Sequence, residues 1–373
     1  MQWVFGCWML AAMVLAGCAT RPGADMLAPV PAVATAVHHV NILVATPRER
    51  DPENSQSFSS NRASTLNFAR YTISIPPNHQ TAAIEWPKTL PPDPETSFAT
   101  IGFEHLGQKA FGDQVAVGGE DKRKVVVFVH GYNTNFAEGL YRMAQIVADN
   151  PMPVSAVLFS WPSDGTTIGY VADKEAVAYS RDHLVRLLAQ LADDPRIGEI
   201  NLFAHSMGCW LTAETLRQLR LSGQDRVIRR LASVALAAPD IDLDVFRNQL
   251  ETIGTLEPPL TILVSTDDRA LHLSRRLGGE RVRVGILDVN DPRVQSLAEA
   301  YHLQIIDISQ MSGSDGLNHD RYLGSAKTLL EVLGGGRKEN PARRAGAFVL
   351  DAAASVLELP GKLGRAAARG LAD

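Results

Sequence analysis

Beyond Lys124, uninterrupted apolar runs alternate with stretches of helical periodicity. The runs occupy residues 125–129, 156–161, 200–204, 232–238, 260–265 and 303–308. A strand that shows neither face to water has no polar alternation, so such runs read as strands covered on both sides. Between them, residues 176–191 set Val177, Leu184, Leu187, Leu188 and Leu191 on one helical face. Residues 210–221 do the same with Trp210, Ala213, Leu216 and Leu219, and a third amphipathic segment, 322–333, ends the pattern. Alternating β and α elements predict an α/β domain on a mostly parallel sheet, with helices on both faces.

Ahead of that region the runs are shorter: 40–45, 71–75, 82–85 and 98–103. Turns such as Ile75-Pro76-Pro77-Asn78 and Leu90-Pro91-Pro92-Asp93 separate them. They predict an antiparallel lead-in, for a sheet of about eight strands in all. Residues 47–68 are crowded with charged and polar side chains and read as an exposed loop. Past Leu333 the chain breaks at Gly334-Gly335-Gly336, turns basic (Arg337, Lys338, Arg343, Arg344) and then predicts a short Ala/Leu helix over 346–357. Phe348, Val349, Ala352 and Val356 would form its apolar side, against the domain or against lipid.

The N-terminus reads as an address. Residues 3–16 are almost all apolar, too short for a comfortable span of roughly 20 residues but suited to a signal-peptide core. The run ends in Leu15-Ala16-Gly17-Cys18, which resembles a bacterial lipobox. That resemblance implies lipidation of Cys18, stable membrane attachment and, because Ala19 is not Asp, the outer membrane. Met1-Gln2-Trp3 departs from the pattern in having no basic residue. The expected organisation is a lipoprotein signal peptide at 1–17, a Pro/Ala-rich flexible tether at 18–38, the α/β domain at 39–334 and a basic, helical tail at 335–373.

Composition narrows the function. With 45% apolar and 21% charged residues the chain is ordinary globular material. The 36 basic residues stand against 41 acidic ones, a net charge of −5 with no Lys/Arg block, so a nucleic-acid partner is not expected. Of three cysteines, Cys7 and Cys18 belong to the leader and only Cys209 to the body, which excludes a disulfide framework and a Cys-based zinc site. The chemistry read below calls for neither metal nor cofactor.

Ala204-His205-Ser206-Met207-Gly208 lies directly after the third run and directly before a helix. This is the strand–turn–helix setting of a nucleophile elbow, whose tight turn needs small residues two positions either side of the Ser. Ser206 would project its hydroxyl at a helix N-terminus, where the dipole favours developing negative charge. An oxyanion hole needs two backbone N–H groups aimed at one point. Met207, after the nucleophile, would supply one, and Tyr132, in His130-Gly131-Tyr132-Asn133 after the first run, the other. Asp268, after the fifth run, is the expected acid; Asp267 beside it and Asp240, after the fourth run, are alternatives. His319, after the sixth run, is the expected general base, completing the chain order Ser, Asp, His. His205 reads as a packed neighbour of the elbow and Cys209 as buried and inert.

These pieces, with Ser160-Trp161-Pro162-Ser163, Leu236-Ala237-Ala238-Pro239-Asp240-Ile241-Asp242 and the early Leu43-Val44-Ala45-Thr46-Pro47-Arg48, resemble the alpha/beta-hydrolase superfamily. Within it the chain is similar to a bacterial subfamily of lipoprotein-type serine hydrolases, over residues 39–333. The resemblance implies the fold and the catalytic roles but no substrate. The expected function is a membrane-anchored hydrolase of a small-molecule carboxylic ester or thioester, acting through an acyl-enzyme in the cell envelope, on the periplasmic face of the outer membrane, with Cys18 carrying a diacylglyceryl group and an N-acyl chain such as palmitate as its anchor. The alternatives are a peptidase or amidase with the same triad, and a catalytically silent binding module. Residues 240–259 leave room for one helix rather than a large cap, so the site is expected to be open or roofed by residues 47–68.

Overall fold

A computed structural model describes residues 21–33, 38–117, 123–151, 153–313, 315–323 and 348–351. The strands are β1 (His38–Arg50), β2 (Phe58–Ile75), β3 (Ala99–Leu106), β4 (Arg123–Val129), β5 (Val154–Phe159), β6 (Ile197–His205), β7 (Leu231–Ala237), β8 (Thr261–Val264), β9 (Gln304–Asp307) and β10 (Phe348–Asp351). They form one sheet in the order β10-β9-β8-β7-β6-β4-β5-β1-β2-β3. Every pair from β10 to β1 is parallel, and β1-β2 and β2-β3 are antiparallel. The six apolar runs all became strands, and the sheet has ten strands among the described residues where about eight were expected.

The helices are α1 (Gln108–Ala116), α2 (Phe136–Asp149), α3 (Tyr170–Asp193), α4 (Met207–Leu221), α5 (Asp225–Ile228), α6 (Leu243–Ile253), α7 (Arg269–Leu277) and α8 (Pro292–Tyr301). Strand alternation splits the core in two. Val125, Val127 and Val129 of β4 face α3, α4 and α6, while Val126 and Phe128 face α2. Helices on both faces account for the unbroken apolar runs. The stretch between β7 and β8 holds α6 and no cap domain, as its length suggested.

Four expectations change. The presumed loop at 47–68 is largely a continuation of β1 and β2 as an irregular ribbon, with shifts in register between Thr46 and Arg50. A ribbon pairs through its backbone and needs few apolar anchors; Phe58 against Phe136, ring centres 5.0 Å apart, is one. Residues 82–85 are not a strand: Ala82 has φ +65°, and the segment is clipped to α2 by side chains. Phe348–Asp351, expected as helix, pair in parallel with β9, because an open strand edge satisfies backbone groups that a lone helical turn would not. Finally, part of the presumed tether lies on the domain. Leu27 is fully buried, the Tyr141 hydroxyl donates to Met26 O (3.0 Å), and Val30 N–H donates to Thr100 O (2.9 Å). The leader and Cys18, most of the 322–333 helix, and the rest of the tail fall outside the described residues.

Candidate active site

Parallel strands all end at the same edge, so the loops after β4, β6, β7 and β8 and the segment before Tyr322 meet there. Four non-glycine residues of these loops have positive φ: Asn133 (+55°), Ser206 (+54°), Ala238 (+47°) and Asn318 (+60°). Backbone strain of this kind, of order 1–3 kcal/mol per residue, persists only where the surroundings impose it. At Ser206 they do. Its N–H donates to Ala237 O (2.9 Å) and its carbonyl accepts from Cys209 N–H (3.0 Å) and Asp240 N–H (3.3 Å). Gly208 lies so near the first loop that an added Cβ would sit 2.4 Å from His130 O. An added Cβ on Gly131 would sit 2.9 Å from Ser206 Cβ. Small residues are therefore required here by contact between two backbones.

Ser206 caps α4 and has no described hydrogen-bond partner for its Oγ. Met207 N–H, the first of the helix, and Tyr132 N–H likewise have no acceptor among the described residues. Both flank the contact between Gly131 and Ser206.

Of the three candidate carboxylates, Asp268 is the one that meets His319. His319 Nδ1 lies 2.6 Å from Asp268 Oδ2. A carboxylate only accepts, so Nδ1 carries the proton and Nε2 of the neutral ring keeps a lone pair. Asp268 is fully buried; its other oxygen accepts from Leu271 N–H (2.9 Å) and caps α7. Burial opposes charge on His319, but the Asp268 hydrogen bond and the charges of Asp268, Asp240 and Asp315 outweigh it and hold the imidazole above its ordinary 6.5. Asp267 instead grips Arg321 and accepts from Asn318 Nδ2 (3.1 Å), so it fastens the two neighbours of the His319 segment. Asp240 is buried with Ser274 Oγ (2.6 Å), Tyr170 OH (3.2 Å) and Arg283 (3.3 Å) around it.

His205 packs on His319, ring centres 4.5 Å apart, and its Nε2 donates to His319 O (3.2 Å). Burial and the neighbouring His319 push its pKa far down, so it stays neutral. His319 is thus seated on the residue that precedes Ser206.

Several residues at the site escaped the sequence reading. Asp173, fully buried on α3, accepts from Asn133 N–H (3.1 Å), Ser163 Oγ (2.6 Å) and Asp164 N–H (2.9 Å). Desolvation raises its pKa. It fixes the loop that carries Tyr132. Its signal was available: an Asp four residues before Val177, on the buried stripe of α3. Arg48 is also buried; its guanidinium donates to Ser160 Oγ (3.1 Å), Ser59 O (3.2 Å) and Thr134 O (3.2 Å), and burial lowers its pKa to about 10. His130 stacks on Trp161 at 5.0 Å, and burial and the charge of Arg48 lower it to about 3, so it is neutral. Arg21 donates to Asn133 O, Gly165 O and the Glu138 carboxylate, and nothing in its sequence context signals that.

A parallel sheet with a strained Ser at the strand–helix turn after β6, and a His–Asp pair at the same edge, defines an α/β hydrolase. The chain belongs to the family described as an alpha/beta hydrolase of unknown function, whose model matches residues 108–337. It is 26% identical over 161 residues to the uncharacterized protein alr1448 of Nostoc sp., a match spanning 36% of this chain and 39% of that one. Similar solved structures include Aspergillus fumigatus lipase B (14% identity, 60% of this chain and 55% of that one, TM-score 0.38). A putative hydrolase from Agrobacterium vitis S4 matches at 11% identity over 74% of this chain and 97% of that one (TM-score 0.36). Esterase B from Lactobacillus rhamnosis matches at 12% over 70% and 88% (TM-score 0.35).

Proposed function

We propose that the chain is a serine hydrolase of carboxylic esters or thioesters, held to the cell envelope through Cys18. Ser206 Oγ attacks the substrate carbonyl while His319 Nε2 takes the hydroxyl proton. The carbonyl oxygen becomes an oxyanion facing the N–H groups of Met207 and Tyr132. His319 returns the proton to the departing alcohol or thiol, leaving Ser206 acylated. Water, deprotonated by His319, then attacks the acyl group and frees the acid and Ser206. Asp268 stays ionised throughout, orients His319 and stabilises its charged form.

The observation that carries this reading is the 2.6 Å contact between His319 Nδ1 and the buried Asp268, with His319 seated on His205. It supports a base whose free nitrogen would serve the Ser206 hydroxyl. Hydrogen bonds of this kind commonly tighten only when substrate binds, in keeping with a Ser206 Oγ that has no described partner here. Labelling by a fluorophosphonate probe tests it, with Ser206→Ala as control. The parent is expected to label and to hydrolyse p-nitrophenyl esters. The variant should do neither at an almost unchanged Tm; retained hydrolysis excludes the scheme. A parent that does not label would favour a binding module, and faster turnover of peptide anilides than of esters would favour an amidase. The anchor is tested separately, by mass analysis of Cys18 for a diacylglyceryl group and by fractionation for the outer membrane.

A further inference from the structure

A rim of five exposed apolar side chains sits on segments that carry or contact the candidate site residues. Ile168 and Val171, at the start of α3, are 94% and 70% exposed. Leu273 and Leu277, one turn apart on α7, are 57% and 65% exposed, and Leu317 is 50% exposed. The segments that carry them are joined by hydrogen bonds. Tyr170 OH meets Ser274 Oγ at 3.1 Å, joining the start of α3 to the middle of α7. Leu317 O accepts from Arg269 N–H at 2.9 Å, joining the His319 segment to α7. Tyr132, the oxyanion candidate, has its hydroxyl on Thr167 O and its ring 5.4 Å from that of Tyr170. Single exposed apolar residues need no explanation, but five on linked segments beside the candidate site do.

The chain itself indicates what covers this rim. Arg21 is bound to Gly165 O and Asn133 O, three residues before Ile168 and one after Tyr132. Cys18 and the apolar 3–16 segment stand immediately upstream. Three extended residues reach at most about 11 Å. An anchor at Cys18 or in the apolar segment would therefore lie close along the chain to Arg21 and to the rim beside it. α7 has the character of an interfacial helix: Leu271 and Ser274 are buried, while Leu273, Leu277, Arg269 and Arg276 point outward.

We propose that this rim rests on a phospholipid leaflet, so that the hydrolase takes its ester from the membrane surface. Both halves rest on the function proposed above, the substrate half on its hydrolase chemistry and the docking half on its N-terminal anchor alone.

The full chain is reconstituted into phosphatidylethanolamine–phosphatidylglycerol vesicles that carry nitroxide-labelled lipid. Bimane is placed at Leu273→Cys and, as control, at Leu221→Cys, and the labelled parent chain supplies the background from its own cysteines. Leu221 is also exposed but ends α4, about 20 Å along the helix from Ser206. Lipid nitroxide should quench bimane at 273 severalfold more than at 221. Equal quenching overturns the docking, including the case in which residues 3–16 cover the rim in place of lipid. In parallel, hydrolysis of a bilayer-dissolved ester is compared with that of a soluble one. The Ile168→Glu, Leu273→Glu double variant should lower the bilayer-to-soluble ratio by about tenfold or more. An unchanged ratio overturns the substrate half. A parent inactive on both esters defeats the hydrolase reading instead, and the quenching result still decides the docking.

Discussion

Asp268 uses its two oxygens for two different tasks: Oδ2 meets His319 Nδ1 at 2.6 Å, and Oδ1 accepts Leu271 N–H at 2.9 Å to start α7. One buried carboxylate therefore orients the His319 imidazole and caps the helix beside it.

The two tasks separate in Asp268→Asn. Asn caps helices about as well as Asp, so Tm should fall little. An amide donating to His319 Nδ1 would select the wrong tautomer and remove the lone pair from Nε2. kcat on a p-nitrophenyl ester should fall by roughly 10³–10⁴. A loss under tenfold would remove Asp268 from the mechanism.

In the proposed mechanism the acid limb of the pH profile reports His319. The base works only when neutral, so kcat/KM should fall as pH drops through its pKa. That pKa is held above 6.5, so the midpoint of the limb should lie above 6.5. In Asp268→Asn, burial would act with less opposition, and the limb of the residual activity should move to lower pH. A limb that stays put would assign it to another group.

Gly131→Ala tests the close contact that holds the proposed oxyanion site together. The new Cβ meets Ser206 Cβ and His205 Nδ1 at 2.9 Å, so the Tyr132 loop must withdraw. Moving one oxyanion donor costs about 10²–10³ in kcat. KM should change much less. A variant with wild-type kcat would place the donor elsewhere.

Asp173→Asn tests the support of that loop. Two oxygens accept from three donors, and an amide cannot accept at both positions. One buried donor is orphaned, at a cost of roughly 1–3 kcal/mol. Thermal melting should show a lower midpoint, and kcat should fall with it, because Asn133 adjoins Tyr132.

His79 should make stability depend on pH far from the site. Its ring lies between Glu85 (2.7 Å) and Asp149 (3.1 Å) and clips the 76–98 segment to α2. Burial opposes its charge, but the hydrogen bonds and charges of Asp149 and Glu85 prevail, so its pKa is raised above 6.5. A raised folded-state pKa means a contribution fully present below 6.5 and lost as pH rises through the folded value. His79→Gln should therefore lower Tm more at about pH 5.5 than at about pH 8.5. An equal drop at both values would show that the clip carries no charge.

Local pattern made much of this legible. Apolar runs of strand length, helical stripes and the small-residue frame of Ser206 are short-range signals, and each reappears as β4–β9, α3, α4 and the elbow. Pairing at a distance was not legible. Three carboxylates at strand ends, Asp240, Asp267 and Asp268, all qualify along the chain, and ranking Asp268 first left the other two open. They differ only because Arg283 and Ser274 meet the first, Arg321 meets the second and His319 meets the third. Asp173 was visible as a charge on an apolar stripe, but its three partners were not.

By itself, then, the amino-acid order determined the alternation of strands and helices, the position of the strained serine and the order of its candidate partners, because propensity, periodicity and turn sterics act over a few residues. Tertiary structure alone decided which acid holds His319, that residues 47–68 extend a hairpin, that Phe348–Asp351 close on β9 and that Arg21 binds beside the opening. Those outcomes depend on hydrogen-bond partners many residues away, and a buried polar group takes whichever partner the completed fold brings within reach.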